Sequence, residues 1–188
     1  RSPGNDGKVS GERMNEVLKA LKERRSIRSF TEEMPPKEMI DQIVEAGLYA
    51  PSGKNLQDVI TIVVTDPQMR KKFEIANRTI GGYAEDFDPF YGAPVILVVL
   101  ARKDNPNHIY DGSLVMGNLL LATHALGLGG IWINRARQEF ETEEFQQILK
   151  DLGIQGEWEG IGHCALGCIK GGNPQAKVRR ENRVYYID

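Results

Sequence analysis

Scarce cysteine, balanced charge and the lack of a long apolar run exclude several classes of protein. Two cysteines in 188 residues cannot form a disulfide scaffold, so a reducing compartment, the cytoplasm, is expected. The 26 acidic and 24 basic residues nearly cancel, whereas proteins that bind nucleic acid or a membrane surface usually carry a basic excess. The longest strongly apolar stretch, Ala93–Ala101, is too short to span a bilayer. We therefore expect neither nucleic acid nor a membrane as a partner.

The remaining composition is that of one globular domain. Hydrophobic residues make up 40% and charged residues 27% of the chain, which is enough for a sizeable core. Residues 1–13 are polar and glycine-rich and precede Met14, so we expect them to be a tag remnant or a flexible leader. No apolar segment follows the N-terminus, and no signal peptide is expected. A single domain is predicted over residues 14–188.

Hydrophobic periodicity predicts helices interleaved with strands. The helices are predicted at Asn15–Glu23, Pro36–Tyr49, Asp66–Asn77, Asp111–Leu126 and Thr142–Leu152. The strands are predicted at Val59–Val64, Ala93–Ala101, Gly130–Ile133 and Ile161–Ile169. This alternation alone suggests a parallel α/β sheet. The helix at Asp111–Leu126 is apolar nearly all round, which predicts that it is buried.

The glycine-rich stretch Gly127–Gly130 is not a dinucleotide-binding turn. It follows a helix and precedes a strand, which is the reverse of the order that a Rossmann fingerprint requires. A helix stop with close chain packing is the better interpretation.

The segment "ERRSIRSF" places three arginines within five positions beside apolar residues. In an extended chain, alternate side chains share a face, so Arg24, Ser26 and Arg28 would line up opposite Ile27. Two guanidinium groups and a hydroxyl suit a long anionic ligand, since guanidinium binds phosphate by paired hydrogen bonds. A basic helix end stabilised by the helix dipole is an equally simple interpretation, and the motif alone favours it.

Three further segments carry polar groups that could serve either a binding site or the fold alone. The loop Ala50–Gln57 offers hydroxyl and amide groups that suit a heteroaromatic ring, although taken alone it is better explained as a plain helix-to-strand loop. Taken alone, the basic tail Lys177–Arg183 is better explained as a solvated charge run. In "HCALGC", His163 and the cysteines suggest a metal site, but His163 and Cys164 are neighbours on a strand and point to opposite faces. Buried apolar cysteines are the better interpretation, and no metal is expected.

The order of these motifs resembles the FMN-dependent nitroreductase family. "ERRSIRSF", "APSGKNLQ", "YGAPVILVV", "DGSLVMGNLLLATHALGLGGIWI" and "GHCALG" with a basic tail follow one another as they do there, and the resemblance covers Met14 to Asp188. It implies contacts of the N-terminal basic segment with the FMN phosphate, ribityl chain and pyrimidine edge. Carried over to this sequence, the implied FMN-binding residues are Arg24, Arg25, Ser26, Arg28, Pro51, Ser52, Gly53, Asn55, Trp132, Ile133, Asn134, Arg135, Lys177 and Arg179.

The carried-over residues have different implied roles. The loop from Pro51 to Asn55 is the one that the other subunit lends to the flavin. Residues 132–135 bring backbone N–H groups to the isoalloxazine, and Asn134 and Arg135 depart from the glycine found there in many relatives. Lys177 and Arg179 resemble a C-terminal phosphate clamp. Asn77 is a weak match to a helix asparagine of the family.

The resemblance overrides the parallel-sheet prediction. It implies an α+β fold with a mixed, largely antiparallel sheet flanked by helices, in an intertwined homodimer with FMN at the interface. It implies an oxidoreductase in which NAD(P)H reduces FMN and the flavin then reduces nitro compounds, quinones or similar electron-poor acceptors by a ping-pong route. The flavin would carry the chemistry, so no catalytic side chain is expected. Two alternatives are a narrower reaction, such as enone or dehalogenating reduction, and a flavin-binding storage or sensor protein without turnover.

Overall fold

The computed structural model describes residues 15–188. The predicted leader, residues 1–13, lies outside the described residues. The centre of the fold is a four-stranded sheet in the order β1-β2-β4-β3. The strands are β1 Val59–Val64, β2 Val95–Arg102, β3 Gly129–Ile133 and β4 Trp158–Gly167.

Every pair of neighbouring strands in this sheet is antiparallel. The parallel α/β sheet suggested by the alternation of elements is therefore wrong, because a helix between two strands also allows the chain to return in the opposite direction. The α+β fold implied by the resemblance is confirmed. A parallel component is provided by an isolated bridge between Ser26 and Gly130, at the outer edge of β3.

The helices agree with the predicted ones except at their ends and in one omission. They are α1 Glu16–Glu23, α2 Lys37–Leu48, α3 Pro67–Gly81, α4 His108–Ala125, α5 Ala136–Phe140 and α6 Glu143–Asp151. Asp66 caps α3 by accepting a hydrogen bond from the Met69 N–H (2.7 Å), with Pro67 in the first turn. Sequence periodicity missed α5 because five residues are too few to show a helical repeat.

The core lies on both faces of the sheet, with β2 at its centre. Val95, Leu97 and Val99 of β2 pack with residues of α2 and α4 on one face. Ile96, Val98 and Leu100 belong to the cluster on the other face, which includes aromatic residues of α3, α5 and α6. The side chains of β2 therefore alternate between the two faces of the sheet, and each face is covered by helices.

Helix α4 is buried on one side only. Met116 and Leu119 are fully buried, but Ile109, Tyr110 and Leu114 are 49%, 71% and 47% exposed. Within one chain the sheet covers only the face that packs on it, so the predicted burial of the whole helix stays a prediction for a dimer. The remaining face is an apolar surface that one protomer leaves open.

No helix within residues 15–188 is long and apolar enough to cross a membrane.

Candidate functional site

The basic segment after α1 lies against the outer edge of β3. Helix α1 ends at Glu23, and the chain then becomes extended from Arg24 onward. The Ile27 N–H donates to the Gly130 carbonyl oxygen (3.2 Å), and the Ile27 side chain is buried, with 3% exposed. Arg28 is exposed. The alternation predicted for this segment therefore holds for Ile27, which turns into the core while the neighbouring polar side chains remain near the surface.

Two guanidinium nitrogens in this segment are buried without a partner. In the described part of the chain, neither Arg24 Nη1 nor Arg25 Nε forms a hydrogen bond. Leaving such donors unsatisfied costs about 1–3 kcal/mol each, and more for charged groups. An anionic group that reached either nitrogen would accept a hydrogen bond from it. The residues present therefore fit the phosphate or ribityl chain of an FMN molecule.

Arg25 also stabilises the end of α1. Its Nη1 donates to the carbonyl oxygens of Lys22 (2.7 Å) and Arg24 (2.8 Å). These are the unpaired carbonyls that a helix C-terminus leaves exposed. The interpretation as a basic helix end therefore applies to Arg25, and its predicted contact with FMN stays a prediction.

The loop from Pro51 to Asn55 is fixed to the start of α4. The Gly53 N–H donates to Oδ1 of buried Asp111 (3.0 Å), whose Oδ2 accepts from Asn105 (2.9 Å). Ser52 Oγ accepts from the Gln57 N–H (3.0 Å), and the Gln57 amide donates to Asn55 Oδ1 (2.9 Å). These bonds give the loop a defined shape.

This loop and the end of β3 line different cavities of one chain. Ser52 and Asp111 line a cavity of about 150 Å³. Trp132, Asn134 and Arg135 line another of about 500 Å³. The predicted contact of both segments with one flavin, from two different chains, stays a prediction.

The turn after β3 is held by the end of α3. The Asn134 carbonyl oxygen accepts a hydrogen bond from Asn77 Nδ2 (2.8 Å). Arg135 has a left-handed backbone conformation, with φ 83°, and its Nη1 donates to Asn77 Oδ1 (3.3 Å). Its guanidinium also bonds the Tyr83 hydroxyl and stacks on the Tyr83 ring, 4.8 Å from the centroid.

A buried polar network lies behind this turn. Glu139 and His163 are both fully buried, and Glu139 Oε2 lies 2.7 Å from His163 Nε2. His163 Nδ1 lies 3.1 Å from the Ile133 carbonyl oxygen, and Asn77 Nδ2 donates to Glu139 Oε1 (2.8 Å). Sequence reasoning did not find this network. Its members are far apart in the chain, and Glu139 lies in the helix that periodicity missed.

The C-terminal tail does not reach these segments in one chain. Residues 171–188 form no helix or strand, and all of them are exposed. Arg179 donates through Nε (3.0 Å) and Nη2 (2.6 Å) to the carbonyl oxygen of Lys177. The predicted phosphate clamp by Lys177 and Arg179 stays a prediction.

The histidine and cysteines of "HCALGC" are not grouped around a common point. No cluster of three potential metal ligands is found among residues 15–188. Cys164 is buried and Cys168 is half-buried. Burial raises the pKa of the Cys164 thiol to about 12, although its hydrogen bond with Thr123 and the charge of Arg24 act in the opposite direction.

The raised pKa predicts that Cys164 resists alkylation in the folded protein. A thiol with a pKa of about 12 instead of 9.0 has roughly a thousandth of the ordinary thiolate fraction at pH 8. We expect iodoacetamide to label Cys168 in the native protein and both cysteines after unfolding, measured by peptide mass spectrometry. Rapid labelling of Cys164 before unfolding would contradict the burial.

Comparison with known proteins identifies the family. The model described as "Nitroreductase family" matches residues 21–168, so the chain belongs to the nitroreductase family. The chain is 51% identical to the FMN reductase (NAD(P)H) of Bacillus subtilis over 147 residues, which cover 66% of this chain and 56% of that protein. It is 31% identical to an iodotyrosine deiodinase of Thermotoga neapolitana over 136 residues, covering 63% of this chain and 73% of the relative.

A solved structure supports the same fold. The nitroreductase of Desulfitobacterium hafniense DCB-2, solved with bound FMN, superposes with a TM-score of 0.83 and is 27% identical. The superposition covers 94% of this chain and all of the other. The described residues therefore include the elements that build a nitroreductase fold.

Proposed function

We propose that the protein is an NAD(P)H-dependent FMN oxidoreductase that reduces electron-poor acceptors such as nitro compounds and quinones. The observation that carries this proposal is the pair of buried, unpartnered guanidinium nitrogens of Arg24 and Arg25 in a chain of the nitroreductase family. The names of the relatives support both the flavin and the nucleotide.

The chain's own residues would hold the cofactor in three groups. Arg24 and Arg25 would satisfy their free donors on the phosphate and ribityl chain, with Lys177 and Arg179 adding charge at the phosphate. Exposed Arg28 would place a cation near the pyrimidine edge. The turn at Asn134 and Arg135 would present N–H groups to the ring, and Ser52 and Asn55 would approach from the second subunit.

When bound, FMN supplies the redox chemistry by accepting a hydride from NAD(P)H and passing electrons to the acceptor. The chain contributes binding, orientation and electrostatics. The cavity beside Trp132 and Arg135, of about 500 Å³, is the place where the flavin ring would lie, with one face left for a second ring to stack on. Nucleotide and acceptor would therefore occupy it in turn, which corresponds to a ping-pong mechanism.

A homodimer would cover the apolar surfaces that one chain leaves open. Besides the face of α4, helix α1 exposes Val17, Leu18 and Leu21 by 60%, 52% and 56%. Burial of such side chains against a symmetry mate stabilises a two-fold dimer. The loop at Pro51–Asn55, fixed to α4 through Asp111, would then be carried to the partner's flavin.

One observation favours a second candidate reaction. Relatives of this chain include iodotyrosine deiodinases, so reductive dehalogenation is the alternative activity. Arg135 places a polar cation at the cavity, which suits a charged aromatic substrate. An acceptor screen with nitroaromatics, quinones and halotyrosines separates the two reactions.

The proposed function predicts a yellow protein with about one FMN per chain. Heat release and chromatography should identify the flavin as FMN. Anaerobic addition of NADH or NADPH should bleach the flavin absorbance, and a nitroaromatic or quinone should restore it. A protein that contains FAD, or that refuses added FMN, would overturn the proposal. Tightly bound FMN that neither nucleotide reduces would favour storage or sensing.

A further inference from the structure

We propose that Asn77, Glu139 and His163 are positioning residues for the flavin. They hold the turn at Ile133–Arg135 so that the N–H groups of Asn134 and Arg135 point toward the ring. The inference rests on the proposed function, because it assumes that FMN binds beside this turn. It assigns a role to a buried network that the redox chemistry itself does not require.

Two successive carbonyl groups of the turn are fixed by this network. The Ile133 oxygen faces His163 Nδ1 (3.1 Å), and the Asn134 oxygen accepts from Asn77 Nδ2 (2.8 Å). Glu139 joins the two donors, since Oε2 pairs with His163 Nε2 (2.7 Å) and Oε1 accepts from Asn77 Nδ2 (2.8 Å). The two carbonyls are therefore held by one connected set of bonds.

Hydrogen-bond geometry decides where the protons of the network lie. His163 Nδ1 faces a carbonyl oxygen, so it must carry a proton. The contact between Nε2 and the Glu139 carboxyl group then requires one further proton, shared by the pair. Glu139, His163 and Asn77 are all 0% exposed, so water does not compete for these bonds. Such buried networks are rigid when every member is satisfied.

Fixing a carbonyl also fixes the direction of the next N–H group. In a trans peptide the C=O and the following N–H point in opposite directions. No cis peptide bond occurs among the described residues. The bond at the Ile133 oxygen therefore turns the Asn134 N–H away from the network, and the bond at the Asn134 oxygen does the same for the Arg135 N–H. Within residues 15–188 neither N–H has a hydrogen-bond acceptor.

Strand alternation gives the same direction for Asn134. The Gly130 carbonyl accepts the Ile27 N–H, so the backbone groups of Gly130 face the outer edge of β3. Backbone groups two residues apart on a strand face the same edge, which extends this orientation to Trp132 and to the Asn134 N–H. That edge is the one lined by the basic segment. The Asn134 N–H and the proposed phosphate-binding arginines therefore lie at the same edge of the sheet, the outer edge of β3.

The left-handed conformation of Arg135 needs this support. A non-glycine residue with φ 83° is strained and persists only where its surroundings hold it. Asn77 provides this support at two points. It donates to the carbonyl oxygen of the preceding residue, Asn134, and it accepts a hydrogen bond from Arg135 Nη1. Donors aimed in advance at a site of developing negative charge are worth more than donors that must reorient. The network should therefore strengthen FMN binding and raise the flavin reduction potential.

The test uses an isosteric change at Asn77 and a matched change at Glu139. Asn77→Asp keeps the size but removes both Nδ2 bonds and sets a carboxylate against Glu139. Glu139→Gln keeps every bond, because its amide oxygen accepts from Asn77 and its NH₂ donates to neutral His163. We expect Asn77→Asp to weaken FMN binding at least tenfold and to lower the midpoint potential. We expect the FMN dissociation constant of Glu139→Gln to stay within about threefold of the wild-type value. This variant keeps the hydrogen bonds that Asn77→Asp loses.

Two further variants keep the test decisive. Asn77→Ala removes the same donors without adding charge, and replaces Asn77→Asp if that chain does not fold. Leu149→Ala opens a cavity in the same core without touching the network, and serves as the control for lost stability. Fluorescence titration gives the FMN dissociation constant, and dye equilibration gives the potential.

The possible outcomes distinguish the positioning role of the network from the proposed function as an FMN oxidoreductase. If wild-type protein binds no FMN, both are overturned. If wild type binds FMN and the Asn77 variants match it in affinity and potential, only the positioning role is wrong. Equal losses in Leu149→Ala and the Asn77 variants would also overturn it, since that result reports stability alone. Losses confined to the Asn77 variants support it.

Discussion

Mixing two inactive variants is expected to restore FMN binding to about half of the flavin sites in the heterodimers. One chain carries Arg24→Ala with Arg28→Ala, and the other carries Ser52→Ala with Asn55→Ala. In each parent homodimer every site is damaged. If a site takes its arginines from one chain and its loop from the other, the mixed dimer has one doubly damaged site and one intact site.

Several features of the structure motivate this experiment. The basic segment lies against the outer edge of β3. The loop of Pro51–Asn55 is instead fixed to α4 through Gly53 and Asp111 (3.0 Å). The outer face of α4 is apolar and exposed. A two-fold contact through α4 is therefore the arrangement that the mixing experiment tests.

The measurement follows FMN binding and turnover against the heterodimer fraction, which differently tagged chains report. Recovery should appear only after subunit exchange and should rise in proportion to the heterodimers. Heterodimers that form without any recovery would show that the two segments do not share a flavin across the interface. Parent homodimers that retain FMN binding would show that the altered side chains are not needed.

Arg24→Ala is expected to weaken FMN binding about tenfold or more while leaving the fold intact. A hydrogen bond to a charged group is worth roughly 1.5–3 kcal/mol, and Arg24 Nη1 is a buried donor with no partner among residues 15–188. Loss of the phosphate contact should therefore appear directly in the dissociation constant. Titration of the flavin-free protein with FMN provides the measurement.

Arg102→Ala is the matched control for this change. Arg102 lies at the end of β2, and its Nη2 pairs with Asp104 (2.5 Å) at the surface, away from the basic segment. The control should bind FMN as the wild type does, because surface ion pairs contribute little. An unchanged dissociation constant for Arg24→Ala would identify the arginine run as a helix end and nothing more.

The elements with strong periodicity were predictable from the sequence. β2 was recognised because every position from Val95 to Ala101 is apolar, and it is the central strand. Asp66 and Pro67 marked the start of α3 correctly. Strand direction was not predictable from these patterns, because side-chain alternation is the same in parallel and antiparallel strands. The resemblance to a family supplied that direction.

The site was predictable only where its residues are neighbours in sequence. Arg24, Arg25 and Arg28 form a visible cluster, whereas Glu139 and His163 meet only because β4 and α5 pack together. The sequence signal that did exist was a single histidine within apolar surroundings. Histidine in "GHCALG" shows this, and the structure explains it by the carboxylate 2.7 Å away. A partner distant in sequence leaves no local pattern.

The position of β2 in the sheet has a consequence for biosynthesis. Its partner β1 is made before it, but its other partner, β4, begins only at Trp158. One edge of the most apolar strand therefore stays unpaired while more than fifty residues are added, and open apolar edges invite association between nascent chains. The charges at Arg102, Lys103 and Asp104 follow the strand directly, where gatekeeper residues oppose such association.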